Sequence, residues 1–208
     1  MERRYTNTET EIRVEKRDDG TARITGYGAV FYRKSDPGTQ YDLWDNMVER
    51  VDPTAFDRAV SESDDARGLF NHDPSLVLGR VSSGTMRLTT DRRGLKYEID
   101  VPDTQAGRDI VTSIERGDVS GSSFAFRAIK EEWRTEKSQE IRTILDVELF
   151  DTGPVTYPAY QSTTTGVRSD SDAEEARTSF LRWKAERDEK AASELRLDEA
   201  AAILAGLE

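Results

Sequence analysis

A chain of 208 residues and 23.5 kDa is the length of one domain with room for an appendage. Hydrophobic residues (35%) barely outnumber charged ones (34%), and 30 basic against 41 acidic residues leave a formal net charge of −11, a poor charge for gripping a phosphate backbone through a basic face. The absence of cysteine excludes disulfides, thiolate nucleophiles, iron–sulfur clusters and Cys-ligated zinc, and a single histidine excludes a multi-His metal site within one chain.

Met1-Glu2-Arg3-Arg4-Tyr5 is not followed by an apolar stretch, and no run nears the roughly 20 apolar residues that span a membrane, so a soluble, intracellular protein is expected. Ile12 and Val14 alternate with charges up to a turn at Asp19-Gly20, and Thr21 to Tyr32 continues at period two through Ala22, Ile24, Gly26, Gly28 and Val30. After a loop at Ser35-Asp36-Pro37-Gly38, Leu43 to Val51 reads as a strand. Asp52-Pro53 then reads as the cap and first turn of a helix carrying Phe56, Ala59 and Val60. Gly68-Leu69-Phe70-Asn71 is a short buried strand leading into Asn71-His72-Asp73-Pro74. Thr85 to Leu88 and Leu95 to Val101 flank Asp91-Arg92-Arg93-Gly94 as a hairpin. Asp103 or Thr104 caps a helix with Ala106, Ile110, Val111 and Ile114 on one face and Gly117 as its stop. Val119 to Arg127 and Ile141 to Phe150 are strands, and the charged segment between Lys130 and Glu140 is an exposed hairpin arm.

A linker follows at Ser162-Thr163-Thr164-Thr165-Gly166. Beyond it the chain is rich in helix formers, with eleven acidic and six basic residues from Ser169 onward and a small apolar face of Phe180, Leu181 and Trp183. The expected architecture is α+β: a mainly antiparallel sheet, curled or closed into a barrel and flanked by a few helices, over residues 1–165, with a charged helical tail of one or two helices over 166–208.

Few side chains remain for chemistry. His72 has an imidazole suited to general base work, although a polar loop is also an ordinary place for a histidine. Gly117 to Phe126 holds three serines. Strand alternation puts Ser122 on the face of Phe124 and Phe126, and Ser123 on the face of Val119, Gly121 and Ala125. If the phenylalanines face the core, Ser123 points outward and is the one a base can activate. The acid that would orient the imidazole is open between Asp146, Glu148 and Asp151, and an oxyanion donor between Arg80, Arg127 and Arg142.

Several blocks in order resemble the phage prohead protease family. Val51-Asp52-Pro53-Thr54-Ala55-Phe56, Asn71-His72-Asp73 with Leu78-Gly79-Arg80, Gly117 to Phe126, and Val155-Thr156-Tyr157-Pro158-Ala159-Tyr160 are similar to its motifs, and Gly94-Leu95 and Asp103-Thr104 fit between them. Thr54 and Ala125 replace the family's usual glycines, and Thr152-Gly153-Pro154 its hydrophobic continuation. The resemblance implies a serine endopeptidase of capsid maturation with an assemblin-like barrel, residues 1–165 being the protease domain. It implies His72 as base, Ser123 as nucleophile and Asp151 as the third member, with Glu148 as the alternative and Arg142 as the oxyanion auxiliary. No metal or cofactor is expected. The implied partners are the major capsid protein, cut in its N-terminal region, and the scaffold protein, inside a procapsid in the host cytoplasm. Self-cleavage and a homodimer belong to the same expectation, while nucleic acid and membrane do not. The contrasting readings are an inactive relative that assists assembly by binding scaffold, and a metal-dependent nuclease built on Asn71-His72-Asp73, which the net charge disfavours.

Overall fold

The computed structural model describes residues 1–6, 12–44, 46–62, 64–157 and 170–205. The chain divides into two compact units, Met1–Arg168 and Ser169–Glu208. In chain order the first holds β1 (Glu2–Tyr5), β2 (Arg13–Lys16), β3 (Ala22–Val30), β4 (Tyr41–Trp44), β5 (Met47–Val51), α1 (Asp57–Ser61), β6 (Arg67–Leu69), β7 (Val77–Arg80), β8 (Met86–Thr90), β9 (Gly94–Val101), α2 (Gln105–Glu115), β10 (Gly121–Glu136) and β11 (Gln139–Val155). The second is one helix, α3 (Asp170–Ala205), with Leu181, Leu195 and Leu197 exposed and the rings of Phe180 and Trp183 in contact. Among the described residues no helix is long and apolar enough to cross a membrane. The Ser162–Gly166 linker and Pro158–Tyr160 lie outside the described residues.

The strands are mainly antiparallel and form two sheets. The larger runs β1-β10-β11-β5-β4, with β6 joined to β11 and β7 to β6; the smaller runs β2-β3-β9-β8. The expected closed barrel is therefore corrected to two open sheets: β1 and β4 end one path, β2 and β8 the other, and no ladder among the described residues joins them. β11 is parallel to β5 over its first half and to β6 at Asp151 and Thr152. One core gathers Phe31, Phe56, Phe124, Phe126, Ile144, Val147 and Leu149; the other gathers Ile24, Met86, Tyr97, Ile99 and the apolar face of α2.

Two local differences from the sequence reading, at Leu43 to Val51 and at Asp52, have physical causes, and the hairpin arm is where it was expected. Leu43 to Val51 is a hairpin rather than one strand, turning at Asn46, whose φ of 60° lies in the left-handed region asparagine tolerates. Asp52 does not cap α1: its Oδ1 accepts from Thr54 N and Oγ1 in a turn, and the helix begins only after Phe56. The arm between Lys130 and Glu140 is part of a β10–β11 hairpin whose tip, Lys137-Ser138, has both φ angles positive. The α2 cap is Thr104, whose Oγ1 accepts from Gly107 N at 3.1 Å, and Gly117 closes the helix at φ 82°.

The smaller sheet carries an arginine cluster around Asp100 on β9. Arg23 Nε donates at 2.8 Å and Arg87 Nη2 at 3.0 Å, and Arg17 also bonds it. The hydrogen bond from Arg23, opposed by partial burial and helped by the other two, holds the carboxyl at about 2. A depressed carboxyl stabilises the fold above the unfolded value of about 4 and loses that contribution as pH falls toward its folded value. Asp100→Asn is therefore expected to lower the urea midpoint near pH 7 and to flatten the loss between about pH 4 and pH 2. A variant that tracks the parent through that window would show Asp100 to be energetically idle.

Candidate active site

His72 sits in a turn between β6 and β7. Asn71 and His72 have φ of 53° and 58°, and Asp73 N donates to Phe70 O at 3.0 Å, the signature of a tight turn with two left-handed residues. That backbone costs about 1–2 kcal/mol per non-glycine residue, so something must hold it. Asn71 does: its N donates to Pro154 O at 3.1 Å, its Nδ2 to Thr156 Oγ1 at 3.0 Å, and its Oδ1 accepts from Thr156 N at 2.8 Å. The turn is thus stapled to the end of β11. Asp73 serves its own turn by accepting from Ser75 N and Oγ.

Ser123 lies on β10, with Tyr5 opposite on one side and Gly153 on the other. Phe124 and Phe126 stack at 4.9 Å in the core. Ser122, on their face, pairs its Oγ with the buried Tyr97 hydroxyl at 2.8 Å. Ser123 faces the other way. The ladder keeps the acid on the same side, Asp151 pairing with Ala125 as Gly153 pairs with Ser123, and a β-bulge follows at once: Phe126 pairs with Leu149, leaving Phe150 as the extra residue. Without it, Leu149 and Asp151 would share one face. With it, Leu149 joins the core and Asp151 keeps the side of Ser123.

The three side chains meet. His72 Nδ1 is 2.5 Å from Asp151 Oδ1, and Nε2 is 2.6 Å from Ser123 Oγ. With the carboxylate accepting from Nδ1–H, Nε2 presents its lone pair to the serine, the connectivity that acyl transfer to a hydroxyl requires. Thr152 Oγ1 donates to Ser123 O at 2.8 Å and fixes the strand at this point. Gly153 permits a close approach: a Cβ there would stand 2.2 Å from Leu69 O, so only glycine lets β6, and with it the His72 turn, lie this near Ser123.

The sequence reading placed Ser123 in reach of solvent, but its exposure is 0%, against 8% for His72 and 5% for Asp151. The cover is β1, which sequence reasoning missed. Arg4 O accepts from Ser123 Oγ at 2.8 Å, and the Tyr5 ring stands edge-on to the imidazole, centroids 5.9 Å apart. Glu2-Arg3-Arg4-Tyr5 does not read as a strand because Glu2 and Arg4, besides pairing with each other, are held by Arg142 and Glu49, far along the chain.

Other candidate residues lie elsewhere. Glu148 bonds Arg127 at the surface, Asp146 accepts from Arg58, and Arg80 is paired with Asp65. Arg142, expected as the oxyanion auxiliary, lies in a buried ion cluster. It is 1% exposed and its guanidinium is taken up by carboxylates: Nη1 donates to Glu2 at 2.5 Å and Glu49 at 2.8 Å, and Nε to Glu131 at 2.6 Å.

No curated protein matches the chain. Among solved structures, the bacteriophage T4 capsid assembly protease, gp21, is similar at a TM-score of 0.45 and 13% identity, over 74% of this chain and 94% of that one. A family model described as caudovirus prohead serine protease matches residues 8–177. That match takes in well over half of the sequence, including His72, Ser123 and Asp151, and by it the chain belongs to the caudovirus prohead serine protease family.

Proposed function

We propose that this capsid maturation protease is a serine endopeptidase in which Ser123 is the nucleophile, His72 the general base and Asp151 the group that orients it. The observation that carries the reading is the unbroken chain from Asp151 Oδ1 through the imidazole to Ser123 Oγ. His72 Nε2 takes the hydroxyl proton as Oγ attacks the peptide carbonyl carbon. The tetrahedral intermediate collapses, His72 hands the proton to the leaving amine, and the acyl-enzyme ester remains. Water repeats the sequence and regenerates the serine. Asp151 holds the proton on Nδ1 and balances the imidazolium charge. The chemistry uses no metal or cofactor.

The substrates proposed are the scaffold protein and the N-terminal region of the major capsid protein within the procapsid in the host cytoplasm, followed by the protease itself. Co-expression with both proteins tests this: the parent should shorten them, and Ser123→Ala should leave them at full length. Processing that survives Ser123→Ala would overturn the assignment. The full burial of Ser123 favours a second reading, a non-catalytic relative that binds scaffold. In that case the parent would cut neither partner in the same experiment.

A further inference from the structure

β1 is the element that the acyl-transfer chemistry does not use, yet it touches the nucleophile. It lies along β10 at the edge of the larger sheet, Tyr5 opposite Ser123 and Arg3 opposite Ala125. A serine hydroxyl has one proton to give. Arg4 O and His72 Nε2 both stand within hydrogen-bond reach of Ser123 Oγ, at 2.8 and 2.6 Å. While the Arg4 carbonyl holds that proton, the imidazole cannot take it. The backbone of residues 4 and 5 also occupies the ground a peptide carbonyl would need, since reacting atoms must come within about 3–3.5 Å.

The seat of β1 is not fully satisfied. Among the described residues, the one buried side-chain nitrogen or oxygen without a hydrogen-bond partner is Nε of Arg3, and an orphaned donor costs about 1–3 kcal/mol. The charges of β1 are also matched for departure. Glu2 and Arg4 pair with each other at 2.6 Å; displacement breaks the bonds of Arg4 to Glu49 and of Glu2 to Arg142, while Arg142 keeps its bonds to Glu49 at 2.8 Å and Glu131 at 2.6 Å. Lifting β1 removes one acid and one base together and leaves the net charge of the cluster unchanged.

We propose that the β10 edge from Gly121 to Phe126 is the seat of the substrate, an extended peptide that adds as an antiparallel strand, and that β1 fills this seat as an intramolecular stand-in until it is displaced. This rests on the serine protease reading above. The stand-in lowers activity by the fraction of molecules in which it is seated.

The experiment uses the full chain, which has no native cysteine. Arg3→Cys with Ala125→Cys places two thiols opposite each other in a non-hydrogen-bonded pair, a spacing a disulfide can bridge. The oxidised protein should cleave peptide and react with a fluorophosphonate at Ser123 at least about tenfold more slowly than the same protein after reduction. Equal rates in the two forms overturn the stand-in while leaving the serine protease intact. If the parent, the oxidised and the reduced forms all fail to react, the protease reading falls and takes this one with it. Ala125 lies beside Asp151 in the ladder, so a second variant avoids it. Arg3→Cys alone, alkylated with a bulky maleimide, crowds β1 off its edge and should react faster than the unmodified variant. An unchanged or slower rate counts against the proposal.

Discussion

Asp151→Asn is expected to lower the rate of peptide cleavage by about 10³–10⁴-fold, with Glu148→Gln staying within about twofold of the parent. Asp151 is 5% exposed, and its Oδ1 meets Nδ1 of His72 at 2.5 Å, so it selects the tautomer with the proton on Nδ1. An asparagine amide turned toward Nδ1 donates instead, which drives the ring proton to Nε2. That nitrogen then has no lone pair for the Ser123 proton. Glu148 lies further along the ladder, opposite Arg127, and bonds that arginine at the surface. Surface pairs of this kind contribute about 0–1 kcal/mol. Single-turnover cleavage with urea unfolding as a control measures both. Activity lost in Glu148→Gln and kept in Asp151→Asn would place the acid three residues earlier in the strand.

How much of this was legible differs by residue. Phe124 and Phe126 separate Ser123 from Ser122 by simple alternation, because both rings are in the core and strand parity does the rest. The α2 helix announces itself through Thr104, the apolar spacing and Gly117. Asp151 is different. Counted from the core residue Leu149, regular alternation would put it in the core too, and the bulge at Phe150 breaks that count, so that Asp151 keeps the face of Ser123. A bulge leaves no periodic signal, so the resemblance, and not the residue pattern, pointed to this position. The cover over Ser123 was illegible for another reason. Burial of Glu2 and Arg4 depends on Glu49 and Arg142, dozens to more than a hundred positions away, and a charged tetrapeptide by itself looks solvated. The same distance effect hid the true place of Arg142, one of many arginines with no local feature to distinguish it.

Arg142→Met is expected to destabilise the fold by about 3–5 kcal/mol at pH 8. Arg142 lies opposite Glu49 in the β11–β5 ladder and opposite Trp133 in the β10–β11 hairpin, at the centre of a buried cluster of Glu2, Glu49, Glu131 and Arg4. Burial alone would lower its pKa, but Glu49 and then Glu2 and Glu131 more than reverse that, and the guanidinium is held above its ordinary value. Burial would likewise raise the pKa of Glu49, yet Arg4 and Arg142 keep it below the carboxylate range. Its contribution is therefore present above the unfolded value of about 4.3 and fades as pH falls below it. Without Arg142 three carboxylates face one arginine, and desolvation with like-charge repulsion pushes their pKa values up. Proton uptake then relieves the strain, so the deficit of Arg142→Met should shrink between about pH 8 and pH 5, a window in which Glu49 of the parent, held below its ordinary value, stays ionised. Urea unfolding at the two pH values reads this directly. Full stability with a selective loss of turnover would instead return Arg142 to the oxyanion role. The cluster also explains why a strand of four charged and aromatic residues stays in a sheet: its ion pairs, made in a dry interior, replace the hydration that Glu2 and Arg4 gave up.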